Sequence, residues 1–478
     1  MSQQYETVVG LEIHVQLNTA SKAFCRDRNH FGDEPNTNVS AISLALPGTL
    51  PMINRSQVIS AIKLGVALDC EIDKSSSFDR KNYCYPDLPK GYQITQDAKP
   101  ICIGGKFTFK TGETYKTINL HHIHMEEDAG KSIHDIHDDK TCLDYNRAGT
   151  PLLEVVTEPE FRSGQEVSDF INAFQILIRY LEISDANMEE GSLRCDCNVS
   201  VRSKGELKLG TRAEIKNVNS KKFAKQAIEF EAKRQWTILQ KGGKVKQETR
   251  LFNTANGETY AMRKKEDALD YRYFPDPDLQ TIILADQFIE NIKLSIDHLP
   301  WEANSMLVND YKVAKKTAET LSADKTLVQL FIYLNIKVDD ATLVSNFIAN
   351  QYISIDKTIQ QDKLESTLNS FAEMLTLIKK QELSASTAYK QLIDFILKNP
   401  EANIRKEAEN KQILINANDD NFEEACKEIL NQFPDKVKAY KAGKKGLMGF
   451  FMGQFMKNGP KGINPKDVQE CFEKLLTL

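Results

Sequence analysis

Long apolar runs are missing from this chain. The longest fall well short of the ~20 residues needed to cross a bilayer, so no membrane association is expected. The opening Met1-Ser-Gln-Gln-Tyr-Glu has neither the apolar core of a secretory signal nor the arginine-rich face of a transit peptide, and a cytoplasmic protein is expected. Paired cysteines are also missing. The nine cysteines form no C-x-x-C pair, which favours free thiols over a disulfide framework. Cys195 and Cys197 would share one strand face, where burial as small side chains outweighs zinc binding. A dominant charge is absent: the formal net charge is -5, so any nucleic-acid contact must come from local basic patches. No P-loop is present, so nothing locates an adenine pocket.

What is there is an ordinary globular composition, 41% hydrophobic and 27% charged over 478 residues. That length implies roughly two to four domains. The densest chemistry lies in His121-His122-Ile123-His124-Met125-Glu126-Glu127-Asp128-Ala129-Gly130-Lys131. It joins three histidines and three carboxylates to a lysine, a set that can hold a cation beside phosphate. An exposed charged strand and turn is the alternative.

Neighbouring segments carry polar-fronted strands. Leu11, Ile13, Val15 and Leu17 share one face of a strand, with Glu12, His14 and Gln16 on the other. Glu12 and His14 can converge on one cation or simply face water. Residues 78–96 are basic, aromatic and proline-punctuated. Arg80 and Lys81 can clamp phosphates there and Tyr83 can stack on a base or ribose, unless the loop merely packs on the core. Glu154 sits inside Leu-Leu-Glu-Val-Val, and Glu127 shares a strand face with Ile123 and Met125. Both carboxylates need a partner: a metal, or a salt bridge to Arg147 or Lys131. Residues 193–202 and 210–218 alternate likewise, with Arg194, Asp196, Asn198 and Ser200 on one front and Arg212, Glu214 and Lys216 on the other. Mixed charge on adjacent strands suits the floor of a wet catalytic cleft. Helical spacing marks residues 161–183 and about 223–239.

The phrases Gly10-Leu-Glu-Ile-His-Val, Phe78-Asp-Arg-Lys-Asn-Tyr, His124-Met-Glu-Glu-Asp-Ala-Gly-Lys, Asn146-Arg-Ala-Gly-Thr-Pro-Leu, Met188-Glu-Glu-Gly-Ser-Leu-Arg-Cys-Asp and Asp270-Tyr-Arg-Tyr-Phe-Pro resemble the B-subunit family of the aspartyl/glutamyl-tRNA amidotransferases, the GatCAB complex. They keep the family's order from about residue 5 to 279. The resemblance implies an α+β fold: a cradle-shaped, glutamine-synthetase-like amino-terminal domain built on an antiparallel sheet, then an all-α domain and a helical tail like that of the YqeY proteins. The expected division is 1–293, 294–405 and 406–478.

Residues beyond about 290 support the helical part. Glycine is all but absent until Gly443, and Leu364, Leu368, Phe371, Leu375 and Ile378 keep near-heptad spacing. Residues 406–433 hold three Lys against seven Asp/Glu, whereas 434–478 hold nine Lys against four. Within that basic part Gly446, Gly449 and Gly453 fall on one helical stripe, open to RNA backbone or to a packed neighbouring helix. The YqeY likeness implies tRNA contact.

The implied activity is ATP-dependent transamidation of misacylated Glu-tRNA(Gln) or Asp-tRNA(Asn), with ATP and Mg²⁺ as cofactors. Glu12, His14, Glu127 and Glu154 match the family's metal positions, with Glu126 a lesser candidate. His14 is an unusual Mg²⁺ ligand and would act through water or admit Mn²⁺. Lys131, Arg147, Arg194 and Lys216 are assigned to phosphate and acyl-phosphate charge from sign and placement alone. Arg80, Lys81 and Tyr83 are assigned to the nucleotide. The chain lacks an amidase Ser-Lys signature. Ammonia is therefore expected from the family's glutaminase (amidase) partner, the A subunit, with the small C subunit completing a heterotrimer. Paired cysteines of the kind that bind zinc in some relatives are absent, and no structural zinc is expected. The rival readings are a non-catalytic tRNA-binding scaffold and a stand-alone ligase acting on free glutamate. Which tRNA is used cannot be read from the chain.

Overall fold

The computed structural model describes residues 5–264, 270–415, 422–459 and 465–477. The chain divides after Pro300 into two compact units.

The first unit is organised by a ten-stranded sheet. Its strands are β1 (Tyr5–Gln16), β2 (Glu71–Ile72), β3 (Cys102–Ile103), β4 (Lys106–Thr111), β5 (Thr114–Glu127), β6 (Pro151–Thr157), β7 (Leu193–Ser203), β8 (Ala213–Val218), β9 (Glu248–Asn253) and β10 (Glu258–Lys264). The spatial order is β10-β9-β8-β7-β1-β6-β5-β3-β2, and β4 pairs with β5. The same unit includes the helices α1 (Arg55–Ala67), α2 (Gly164–Tyr180) and α3 (Lys221–Gln240). The strand pairs are antiparallel except β8 with β9, which run parallel. A parallel pair needs a long crossover, and α3 supplies it.

Period-two alternation decides which face is buried. Leu11, Ile13 and Val15 of β1 and Cys195, Cys197 and Val199 of β7 all enter the core. Phe170 of α2 packs edge-on against Phe107, Phe109 and Phe161, with centroids 5.0–5.4 Å apart. Serine caps start both longer helices: Ser163 accepts from the Glu166 N–H, and Ser220 from the Phe223 N–H. Gly164 lets α2 approach α3, since a Cβ there would lie 2.6 Å from the Lys225 carbonyl oxygen. The core leaves the opposite, polar-fronted face of β5, β6, β1, β7 and β8 free for chemistry.

The helix Asp286–Leu294 buries Ile292 in this core, and Leu299 packs against it. Residue 293 therefore falls within a helix of the first unit, not at a boundary.

The second unit is helical. The near-heptad segment forms the helix Leu364–Lys379, which buries Phe371 and Leu375. Residues 422–476 close an apolar cluster of their own, around Cys426, Phe451, Phe455 and Phe472. Met448–Asn458 is a helix, and Gly446 lies in the turn Lys445–Leu447 before it. A Cβ on Gly446, Gly449 or Gly453 would meet no heavy atom within 4 Å. The glycine stripe is thus open, and no described helix packs on it. The sheet-then-helix order is the expected α+β arrangement, with one parallel pair that the expected antiparallel sheet did not include.

Candidate cation and phosphate site

Strand register assembles the site. His124 of β5 lies opposite Glu154 of β6, Glu154 opposite His14 of β1, and His14 opposite Arg194 of β7. One row of the sheet therefore reads His124–Glu154–His14–Arg194. Two residues further along β1, Glu12 faces Asp196 of β7, and Asn198 faces Glu214 of β8. These positions were gathered from segments up to 202 residues apart, Glu12 to Glu214.

Two acidic clusters result. In the first, His14 Nε2 lies 3.2 Å from Glu154 and 3.3 Å from Glu126. His124 Nε2 is 3.1 Å from Glu154. In the second, ligand atoms of Glu12, Asp196 and Glu214 come within 4.8 Å of one another. Lys216 donates to Asp196 at 2.6 Å and to Glu214 at 2.7 Å, and Asn198 donates to Glu12 at 2.9 Å. Glu12, His14, Glu154, Asp196, Glu214, Lys81, Arg212 and Lys216 line a single cavity of about 400 Å³.

The electrostatics are those of a site built to hold positive charge. Burial pushes Glu154 upward, but His14 and His124 outweigh it and hold the carboxyl well below its ordinary range. Glu126 is lowered as well: burial and the Glu154 charge raise it, and the neighbouring His124 and His14 imidazoles outweigh them. Burial opposes charging of His14, yet Glu154 and Glu126 raise it well above an ordinary imidazole. The same balance lifts His124 to about 9. Glu12 moves the other way, raised by burial and then by Glu154. Lys81 is raised despite burial because Glu126 and Glu154 face it.

These donors fit a divalent cation. Glu126 Oε1 is buried with no hydrogen-bond partner, although His14 Nε2 stands close by. The all-carboxylate triad Glu12–Asp196–Glu214 offers the oxygen ligands that Mg²⁺ prefers. The triad His14–Glu126–Glu154 adds one imidazole, which suits Mn²⁺ or a water-mediated Mg²⁺ contact.

Of the residues singled out as metal ligands, the structure brings Glu12, His14 and Glu154 to one cavity. It does not bring Glu127. That side chain points to the other face of β5, pairs with Lys90 and accepts from the Ile94 N–H at 3.0 Å. It lines a separate, smaller cavity with Phe24, Lys90 and Gly149. The front position on β5 is Glu126, one residue earlier, and it is Glu126 that stands with His14 and Glu154.

The cationic assignments divide similarly. Lys216 lines the front cavity, and Arg194 stands beside His14 with its Nη2 donating to Asp128 at 2.8 Å. Arg147 is used to hold a turn, donating to the Ala129 and Gly130 carbonyls at 3.0 and 2.6 Å. Lys131 is exposed on the short strand Lys131–Ile133 and does not line the cavity. Arg80 is likewise diverted, donating to Asp276 at 2.8 Å and to Asp278 at 2.7 Å. Tyr83 donates to Gln93 at 3.0 Å. Among the three nucleotide candidates only Lys81 faces the cavity.

Asp196, Glu214 and Arg212 were not assigned roles from sequence. Alternation had put them on strand fronts, but register alone shows that they meet Glu12. A further feature is the bulge on β5. Val156 pairs with His122 and Thr157 with Leu120, leaving His121 as the extra residue. The bulge turns His121 toward His122, with Nδ1 atoms 2.6 Å apart, and His122 Nε2 lies 3.0 Å from His124 Nδ1.

Comparison with known proteins identifies the family. The GatB/GatE catalytic domain matches residues 7–290, and the GatB domain matches residues 329–476. The chain belongs to the GatB/GatE family. It is 41% identical over 478 residues to the B subunit of the aspartyl/glutamyl-tRNA(Asn/Gln) amidotransferase of Persephonella marina, covering 99% of this chain and 100% of that one. The corresponding B subunits of Chlorobium luteolum and Neisseria meningitidis serogroup B are each 43% identical, with 99% of both chains covered. Every front-cavity residue named above lies within the stretch matched by the GatB/GatE catalytic domain. No described helix is long and apolar enough to cross a membrane.

Proposed function

We propose that this GatB-family chain activates and amidates the side-chain carboxylate of misacylated Glu-tRNA(Gln), Asp-tRNA(Asn) or both, as part of a tRNA-dependent amidotransferase. One observation carries the reading: the triad Glu12–Asp196–Glu214, His14 and Glu154 of the other triad, and the cations Lys81, Arg212 and Lys216 line the same cavity. A carboxylate is a poor electrophile until a phosphoryl group from ATP makes phosphate its leaving group. Ammonia then attacks the carbonyl carbon, phosphate departs, and the nitrogen gives up a proton.

Such chemistry depends on positioning and charge neutralisation more than on covalent participation. Lys81, Arg212 and Lys216 are the side chains placed to meet phosphate oxygens. Glu12, Asp196 and Glu214 form one cation cradle, and His14, Glu126 and Glu154 the other. These residues would hold Mg²⁺, which would supply neutralisation of phosphate charge. Asn198 and Thr249 fix the rotamers of Glu12 and Glu214 by hydrogen bonds of 2.9 Å.

The chain carries no amidase Ser-Lys signature, so ammonia comes from a glutaminase partner, the A subunit, and the small C subunit completes a cytoplasmic heterotrimer. Residues 406–478 supply a tRNA contact. Support comes from nine lysines against four carboxylates over 434–478 and from a glycine stripe that nothing described covers.

Glu154→Gln in the assembled complex tests the reading. Amide formation on charged tRNA should be lost, while tRNA binding and glutamine hydrolysis persist. A variant that still amidates at the wild-type rate would leave the chain a tRNA-binding scaffold.

A further inference from the structure

Arg194 spends little of its hydrogen-bonding capacity on the protein. Other arginines of the first unit that are buried or half-buried spend more. Arg162 donates to Glu6 and to the Pro159 and Phe161 carbonyls. Arg202 donates to Glu6 and the Leu207 carbonyl, and Arg250 to Glu248 and to the hydroxyl and carbonyl of Thr259. Arg194 makes one hydrogen bond among the described residues, from Nη2 to Asp128 Oδ2 at 2.8 Å. Its Nε is buried without a partner, and no protein acceptor among the described residues meets Nη1.

Register defines where that guanidinium stands. Arg194 lies opposite His14, and Asp196 follows two residues along the same strand. Arg194 is thus the neighbour of one ligand from each cation cradle. Asp128 foremost, then Glu126 and Asp196, hold its charge against burial. His14 and Asp196 line the front cavity, and the Arg194 side chain is 39% exposed, so a ligand can reach it.

Asp128 follows directly on β5 and is buried. Its N–H donates to the Thr150 carbonyl at 2.8 Å, and its own carbonyl accepts from the Gly149 N–H at 2.9 Å. Oδ1 accepts from the Ala129 N–H at 3.0 Å. Oδ2 is left to hold Arg194, with Arg147 Nε 3.6 Å away. Main chain and side chain are both pinned, so the carboxylate sets the place of the guanidinium.

We infer that Arg194 binds an anionic oxygen of the reacting groups beside the two cradles, and that Asp128 is the positioning residue that holds it there. The inference rests on the proposed function, which brings two such groups to this cavity: the side-chain carboxylate to be activated and the phosphoryl group transferred to it. A guanidinium is planar, forked and permanently charged, so one nitrogen can stay on Asp128 while another meets a carboxylate or phosphoryl oxygen. An arginine kept for the fold alone uses its donors within the protein, as Arg202 and Arg250 do. A charge fixed before the substrate arrives needs no reorganisation as negative charge moves from carboxylate to departing phosphate.

The test compares Arg194→Ala, Asp128→Asn and the double variant in the full chain, assembled with its partner subunits. Arg194→Ala should lower ATP-dependent amidation about 10–100-fold, the scale of a lost charged hydrogen bond, while glutamine hydrolysis persists. Millimolar guanidinium ion should restore part of that rate. Adding Asp128→Asn should abolish the rescue, because the carboxylate that seats the ion is gone; a purely structural role would not move this readout. A rise in KM confined to charged tRNA assigns the bound oxygen to the substrate carboxylate, and a rise confined to ATP assigns it to the phosphoryl group. Asp128→Glu keeps the charge but shifts it by a methylene, and serves where Asp128→Asn does not fold. It should lower kcat when Arg194 is present and add nothing to Arg194→Ala. Wild-type amidation by Arg194→Ala overturns the inference, as does guanidinium rescue undiminished by Asp128→Asn. If Glu154→Gln abolishes amidation while Arg194→Ala amidates normally, only this inference fails. If Glu154→Gln amidates normally, the proposed function itself fails.

Discussion

His14 and Glu154 face one another across adjacent antiparallel strands, with Nε2 and Oε2 3.2 Å apart. The carboxylate is shared, because His124 Nε2 lies 3.1 Å away on its other side. Without a metal the cluster balances carboxylates with imidazolium charge; with one, the cation takes over part of that role. The wild-type chain should therefore gain thermal stability from Mn²⁺ or Mg²⁺. At a hundredfold excess over Kd the gain is about 2.7 kcal/mol, or about 5 °C in Tm. Chelation should remove it, and Glu154→Gln should show much less. A metal-independent Tm in the wild type would sink the cation assignment.

Glu126 and Glu127 give the sharper test, since they are neighbours on opposite faces of β5. Glu126→Gln should abolish the metal-dependent gain in Tm. Glu127→Gln should leave that gain intact but lower the metal-free Tm, because Lys90 would be left beside a neutral amide. Breaking one partner out of a buried ion pair typically costs about 3–5 kcal/mol. The reverse pattern would restore Glu127 as a ligand.

That reversal shows where the sequence stops being legible. Alternation on β1, β7 and β8 could be read directly, and with it the fronts that bear Glu12, His14, Asp196 and Glu214. On β5 the same alternation set Glu127 with Ile123 and Met125, which is the core face. A carboxylate there needs a partner, and the partner is Lys90, from a loop 37 residues earlier. Arg80 spends its charge on Asp276 and Asp278, almost 200 residues away. Local patterning gives the face of a strand, but not which loop folds over it. Register, which brings Glu12 to Asp196, depends on pairings between distant segments, and the hydrophobic pattern constrains each strand's faces without naming its neighbour. The helices were easier because caps and periodicity are local: Ser163 and Ser220 each start a helix where they stand.

Glu231 anchors the far side of the site. It is fully buried on α3, bonds Arg234 at 2.6 Å and Thr259 at 2.9 Å, and lies 3.3 Å from Arg250. These contacts tie α3 to β9 and β10, and β9 carries Thr249 against Glu214. Glu231→Gln should cost about 3–5 kcal/mol, since two guanidinium groups lose their shared counter-charge. Denaturant unfolding of the full chain should show the loss in the transition of the first unit. A midpoint shift of under about 0.5 kcal/mol would mean that the cluster is not a structural anchor.

Gly164 tests the packing that carries the sheet's back. A Cβ there would stand 2.6 Å from one backbone atom of Lys225 and 3.0 Å from another, and backbone cannot swing aside as a side chain can. Gly164→Ala should therefore destabilise by about 1–3 kcal/mol, the usual cost of overpacking, even though alanine is the better helix former. An unchanged or raised Tm would show that α2 and α3 slide apart without penalty.

Glu6, at the start of β1, makes the acid response of the sheet predictable. A hydrogen bond from Arg202 holds its carboxyl below the usual range; burial opposes this, and the Arg162 charge adds to it. Arg202 lies on β7 and Arg162 just ahead of α2, so this carboxylate joins two strands to a helix. Because the folded pKa is depressed, the contribution to stability is complete above the unfolded value of about 4.3 and disappears as pH falls through the folded value. Comparing Tm for the wild type and Glu6→Gln should show a constant gap from pH 7 down to about 5.5. The gap should then narrow, closing as pH falls through the depressed folded value and the wild-type carboxyl becomes neutral like the amide. A gap that persists undiminished in acid would mean that Glu6 contributes by shape and hydrogen bonding, not by its charge.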